Sequence, residues 1–246
     1  MSGEVREPVL LRAAAHPLRW QLLTELAASD RQVQELTARV HQRQNLVSYH
    51  LGQLRKAGVV TSRRSSADGR DTYYRLDLTQ CAALLASAGA ALHPALRQTS
   101  PPVPALDSTR PPRVLFLCTS NSGRSQLAEA LLRHRTAGAA HVFSAGSHPK
   151  PVSPHAVAAL AGYGIDATGA TSKHLDVFSG QRFDYVISLC DRVREICPEF
   201  PGHPSVVHWS LPDPGHEPDG NAAYVRTAAE LDERIGFLLH TLTGGA

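Results

Sequence analysis

Cys118 and Arg124 are separated by five residues in the run Cys-Thr-Ser-Asn-Ser-Gly-Arg. The run ends the apolar stretch RVLFLC and opens an amphipathic one, so it reads as a loop between a strand and a helix. Such a loop aims successive backbone N–H groups, here those of Thr119, Ser120, Asn121, Ser122, Gly123, Arg124 and Ser125, at one point, and the positive end of the helix adds to them. That is a cradle for a tetrahedral oxyanion. Arg124 supplies a planar fork able to hold two of the oxygens. Gly123 is expected to allow a backbone turn that a side chain would hinder. The same positive field favours the thiolate of Cys118, a nucleophile, with Ser125 or Ser122 in reach to hydrogen-bond it.

The chain has 246 residues and four cysteines, the others being Cys81, Cys190 and Cys197. Four are too few for a secreted disulfide scaffold of this length and point to thiol chemistry in a reducing compartment, so a cytoplasmic location is expected. Cys190 and Cys197 are seven residues apart, and residues 191–200 are expected to be mostly helical. Seven helical residues turn through about 700° and rise about 10.5 Å, so the thiols share a face, but a disulfide requires Cα atoms within about 7 Å. Joining them must unwind the segment, and an unwound segment can carry its disulfide out to another protein. Pro198 limits the helix at that end. Cys81, at the start of an Ala/Leu helix, reads as a small hydrophobe rather than a sensor thiol. The 13 histidines are scattered, and the loop set His203, His208 and His216 lacks zinc-site spacing, so neither a metal nor a tightly bound cofactor is expected.

The elements that must position the cradle alternate in period. Strands are expected at 113–118, 141–145, 183–189 and 205–209, and helices at 124–135, 154–163, 191–200 and 221–242. Apolar strands alternating with helices imply an α/β domain over 113–246, with a four-stranded parallel sheet covered on both faces.

Residues 93–112 hold six of the chain's 17 prolines and read as a semi-rigid linker, leaving a separate domain at 1–92. That domain carries twelve Lys and Arg against eight Asp and Glu, a balance suited to a polyanionic partner. Helices are expected at 17–28, 33–40 and 45–57, the last closed by Gly58 in the left-handed region, then strands at 59–65 and 72–78 joined through Ala67-Asp68-Gly69-Arg70. This is a mainly α winged helix-turn-helix order. The second helix of the pair would present Gln44, Asn45, Ser48, Tyr49 and Gln53 to base edges and phosphates, with Arg55 and Lys56 at the rim and Arg63, Arg64 and Arg70 on the hairpin reaching flanking backbone. The nearly uncharged helix at 79–92 is hard to leave exposed in a monomer and suggests a homodimer interface. No apolar run approaches the ~20 residues of a membrane span, and the start, MSGEVREPVL, lacks the order of a secretory signal, so no membrane partner is expected.

The segments AAAHPLRWQLLTELA, VQELTARV, NLVSYHLGQLRKAGVV and SSADGRDTYYRL resemble the arsenical-repressor (ArsR) family of dimeric winged-helix repressors. That resemblance implies operator DNA as a partner. It has one departure: relatives that sense arsenic in the first helix of the reading pair carry Cys-x-Cys where this chain has Gln32-Val33-Gln34. Residues 113–243 resemble the low-molecular-weight tyrosine phosphatase fold. Arsenate and phosphate are near-isosteric, so the cradle alone suits a phosphatase or an arsenate reductase. Gln126 stands where family phosphatases usually have Pro, and Cys190 with Cys197 resemble the redox pair of thioredoxin-coupled arsenate reductases. Both branches place an Asp-Pro loop over the cradle, so the resemblance implies Asp213 as general acid; phosphatases usually follow it with Tyr, where Gly215 stands here. The reading implied is a fused regulator and arsenate reductase, with arsenate passed through Cys118, Cys190 and Cys197 to an external thioredoxin-like dithiol. Its rivals are a low-molecular-weight tyrosine phosphatase and a regulator that binds an oxyanion without turnover.

Overall fold

The computed structural model describes residues 8–97, 105–106, 109–195 and 198–242. Cys197 lies outside them, as do parts of the expected linker. The chain divides into two units, Met1–Pro102 and Val103–Ala246.

In the first unit the helices are α1 (Val9–Ala14), α2 (Pro17–Ala28), α3 (Val33–Val40), α4 (Gln44–Lys56) and α5 (Leu78–Leu92), with strands β1 (Arg31–Gln32), β2 (Val60–Arg64) and β3 (Thr72–Leu76). Pro17 occupies the first turn of α2, where its missing N–H costs nothing, and the His16 ring accepts from the Leu18 amide. The turn between α3 and α4 depends on His41, which closes α3 with a left-handed φ of 51°. Gly58 ends α4 at φ 74°, as the sequence predicts. Leu22, Leu36, Val47, Leu51, Leu54 and Val59 are fully buried where α2, α3 and α4 meet.

Two elements carry too little pattern to be foreseen. Six-residue α1 buries only Leu10 and Ala13, and two-residue β1 adds to the edge of β3 through Arg31↔Tyr74 and Gln32↔Tyr73. The hairpin also differs from a tight Asp-Gly turn. Gly69 is not among the left-handed glycines; the Asp71 amide instead donates to the Asp68 carbonyl and the Ser65 amide to the Asp71 carbonyl, giving a longer wing loop. Pro94–Leu96, at the start of the expected linker, form a 3-10 turn so close to α5 that a Cβ on Gly89 would lie 2.3 Å from the Leu96 carbonyl oxygen. Of α5 only Ala88 is buried, while Leu85 is 53% and Leu92 75% exposed.

The second unit is a parallel sheet in the order β5 (His141–Gly146), β4 (Arg113–Cys118), β6 (Tyr185–Ser188), β7 (Ser205–His208). Val114 to Cys118 are all buried, as a central strand covered on both faces requires. Three helices, α6 (Arg124–Arg135), α7 (Pro154–Ala161) and α9 (Asn221–Leu242), pack on one another. The chain leaves central β4 for β5 on one side and later fills β6 on the other, so the carboxyl ends of β4 and β6 form the switch point of the sheet, where such folds bind ligands.

The expected helix at 191–200 is the main correction. The described helix, α8, covers only Asp191–Glu195, and Pro198 to Phe200 are not helical. Proline disfavours helical geometry in the residue before it, so the ladder stops short. Among the described residues no helix is long and apolar enough to cross a membrane.

Leu54 is completely buried in the core of the first unit, so Leu54→Ala should remove about 2–5 kcal/mol from that unit. Urea unfolding followed by far-ultraviolet circular dichroism should show an earlier transition for that unit.

Candidate active site and nucleic-acid interface

The loop after β4 becomes a cradle because its carbonyls are bonded outwards. Thr119, Ser120 and Ser122 accept through their carbonyls from the amides of His148 (2.8 Å), Lys150 (3.0 Å) and Ser153 (2.9 Å). The Asn121 carbonyl accepts from the Ser172 hydroxyl at 2.8 Å and the Gln126 side-chain amide at 3.1 Å. Peptide planarity sets each N–H opposite its carbonyl, so the loop's amides are turned inwards. That of Asn121 donates to Cys118 Sγ at 3.2 Å.

Asn121 holds this shape. Its φ is 45°, a left-handed value that asparagine tolerates better than most residues. Its buried side chain donates through Nδ2 to Ser125 Oγ and Ser144 Oγ, both at 2.8 Å, and accepts at Oδ1 from the Lys173 amide at 2.7 Å. Gly123 has little room to spare, since a Cβ there would lie 3.0 Å from Cε1 of the Tyr224 ring. Of the two candidate serines, Ser125 lies 2.9 Å from Cys118 Sγ, while Ser122 donates to the Pro151 carbonyl.

Arg124 is 4% exposed and grips the Asp-Pro loop: Nη1 donates to the Leu211 carbonyl at 3.0 Å and Nη2 to Asp213 Oδ2 at 2.7 Å. The other Asp213 oxygen accepts from the Gly215 amide at 3.0 Å. Cys190 sits just beyond the end of β6, next to β4, with Leu117 paired to Ser188 and the Leu189 amide bonded to the Leu117 carbonyl. Its sulfur lies 3.2 Å from Thr119 Oγ1, beside Cys118, and both cysteines are free thiols. Burial pushes the Cys190 thiol up and neighbouring Cys118 adds to that, opposed by Arg124, the Thr119 hydroxyl and the Val193 amide. The structure thus gathers Cys118, Arg124, Ser125, Cys190 and Asp213; Cys197 lies outside the described residues.

Other contributors have no local signal. A Cβ on Gly146 would lie 2.6 Å from the Thr119 carbonyl oxygen and 2.7 Å from the Asn121 nitrogen, so the loop can lie on the end of β5 only where a glycine stands. Ser144, Ser172 and the 148–153 segment are likewise distant in sequence. Gln126 stands out in the sequence by its type, and the structure shows it bonding the Asn121 carbonyl and the Thr171 carbonyl.

In the first unit α4 buries Val47, His50, Leu51 and Leu54 and leaves Gln44, Asn45, Ser48, Tyr49, Arg55 and Lys56 exposed, with Gln53 half-buried. Arg63 is half-buried and Arg64 exposed on β2; exposed Arg70 forks onto Asp68 through Nε (3.2 Å) and Nη2 (2.9 Å). Cys81 is half-buried and its thiol is pushed up to about 11, by burial first and then by Asp77, which disfavours the thiolate.

Residues 113–244 match the family described as low molecular weight phosphotyrosine protein phosphatase, and residues 16–62 match the bacterial regulatory protein, arsR family. The chain belongs to the low molecular weight phosphotyrosine protein phosphatase family, and an arsR-type helix-turn-helix precedes that domain. Among its relatives are an arsenate reductase of Brevibacillus brevis, 41% identical over 41% of this chain and 75% of that one, and arsenate reductase 2 of Bacillus cereus, 38% identical over 50% and 90%. Solved structures similar to it include a thioredoxin-dependent arsenate reductase of Corynebacterium glutamicum, with 28% identity, 67% of this chain and 71% of that one covered, and a TM-score of 0.45.

Because burial holds the Cys190 thiol protonated, its alkylation by iodoacetamide should be slow at neutral pH and should rise only above the pH range of an ordinary thiol. Peptide-resolved mass spectrometry of the full chain across pH measures this; a rate already at its plateau at pH 7 would contradict it.

Proposed function

We propose that the chain joins an arsenate reductase to a DNA-binding regulator. The observation that carries the reading is a second thiol, Cys190, lying against the wall of the Cys118 cradle through Thr119. A phosphatase has no use for it. Cys118 attacks arsenate held by the loop amides and Arg124, and Asp213 protonates the departing hydroxide. Cys190 attacks the Cys118 sulfur of the adduct; the arsenic–sulfur bond breaks with its electron pair on arsenic, which leaves as arsenite, and a Cys118–Cys190 disulfide remains. Cys197 then attacks Cys190, freeing Cys118, and an external thioredoxin-like dithiol reduces the Cys190–Cys197 disulfide. The relatives named arsenate reductase support this choice over the phosphatase reading.

The first unit binds operator DNA through α4 and the wing, joined to the second by the proline-rich 93–112 linker. The exposed polar row of α4 suits base edges, and Arg63, Arg64 and Arg70 suit flanking phosphates. A homodimer through the apolar face of α5 explains why Leu85 and Leu92 stand in solvent in the single chain.

With thioredoxin and its reductase, the wild-type chain should turn arsenate over repeatedly, whereas Cys197→Ser should release about one equivalent of arsenite and stop. Arsenate inert beside a rapidly hydrolysed aryl phosphate, with Cys197→Ser as active as wild type, would establish the phosphatase instead. For the regulator, Arg63→Ala with Arg64→Ala should weaken binding uniformly across DNA sequences and lower the salt slope by about one for each phosphate no longer neutralised. Fluorescence anisotropy over a salt series provides that slope.

A further inference from the structure

Asp191 follows Cys190 directly, is wholly buried, and has no part in the relay above. Its Oδ1 accepts from Ser210 Oγ at 2.7 Å and from His208 Nε2 at 3.1 Å. The other nitrogen of the His208 ring, itself 2% exposed, lies 2.8 Å from Ser188 Oγ and 3.1 Å from the Ser188 carbonyl. Ser188 ends β6 two residues before Cys190, so the chain on both sides of that thiol is fastened to one histidine. His208 and Ser210 in turn begin the segment His-Trp-Ser-Leu-Pro-Asp, whose Leu211 carbonyl and Asp213 carboxylate are held by Arg124. One buried carboxylate therefore joins the strand end that presents Cys190 to the loop that presents Asp213. Buried carboxylates are retained only where partners offset their desolvation, and here Ser210 and His208 lie on the segment leading to Asp213 while the carboxylate itself follows Cys190.

We infer that Asp191 is a positioning residue that seats both Cys190 and the Asp213 loop on the Cys118 cradle. It serves both halves of the reaction, the protonation at Asp213 and the attack by Cys190, and rests on the arsenate reductase reading only for the second half. The bonds from Ser210 and His208 both fall on Oδ1, so an asparagine with its amide oxygen in that place keeps those two contacts. What Asp191 supplies is geometry, through an acceptor, rather than charge.

The test uses the full-length chain with Asp191→Ala, Asp191→Asn and Ser210→Ala. Two reactions are followed: aryl phosphate hydrolysis, which needs Cys118, Arg124 and Asp213, and arsenite release in a single turnover, which also needs Cys190. Peptide-resolved alkylation of Cys190 gives a third readout that needs no reductase activity. Asp191→Ala should slow both reactions by about tenfold or more and speed alkylation as Cys190 loses its seat; Ser210→Ala should do so more weakly, and Asp191→Asn should restore most of the loss. Asp191→Asn as impaired as Asp191→Ala would overturn the inference in favour of a charge effect, as would a folded Asp191→Ala protein unchanged in hydrolysis and in Cys190 alkylation. If Asp191→Ala does not fold, Ser210→Ala and Asp191→Asn decide by the same criteria. If no variant, nor the wild type, reduces arsenate, the reductase reading fails, while hydrolysis and alkylation still decide the role of Asp191.

Discussion

The second unit depends on one backbone constraint, the outward bonding of the carbonyls between Thr119 and Ser122. An anion site made of amides needs several N–H groups on one side of a loop, and a free loop has no reason to hold them there. Here each carbonyl is tied to a different outside partner, from His148 to Ser172, and the fixed geometry of the peptide bond leaves the amides facing Cys118. Asn121 adds the left-handed turn and satisfies its own buried amide on Ser125, Ser144 and Lys173. Such a network costs little because every member is satisfied, and removing one partner would leave buried polar groups unpaired.

That constraint joins the two chemical halves of the site. Sheet order puts the loop after β4 beside the turn after β6, so Cys190 reaches Thr119 without any long connection. Arg124 then draws the loop after β7 to the same place through Leu211 and Asp213. Three strand ends thus bring Cys118, Cys190 and Asp213 to one place, as expected where a parallel sheet changes direction. The environments of the thiols differ: Cys118 has a serine hydroxyl and a loop amide on its sulfur, whereas burial pushes the Cys190 thiol up against the lowering by Arg124 and the neighbouring donors.

Long, strongly periodic elements are legible in the sequence. Helices α2 and α3 have the bounds that apolar spacing and Pro17 imply, and β4 can be read from RVLFLC alone. Elements too short to repeat a pattern escape, among them six-residue α1 and two-residue β1. The helix expected at 191–200 is too long because its apolar spacing continues past the point where Pro198 opposes helical geometry. The wing loop departs from expectation for a related reason: Asp-Gly favours a tight turn, but the bond from Asp71 to Asp68 selects a longer one.

Sequence alone determined which groups are available: a cysteine and an arginine at cradle spacing, two further cysteines seven apart, an Asp-Pro dipeptide, and a basic helix pair with a wing. These are local properties, set by residue type and by spacing within a single element. Tertiary structure decided which of them meet. It chose Ser125 over Ser122, placed a left-handed turn at Asn121, required Gly146 where two backbones touch, and set Asp191 between Cys190 and the Ser210 segment. Each of those outcomes depends on contacts between residues far apart in the chain, and no local periodicity encodes how closely two distant segments will approach.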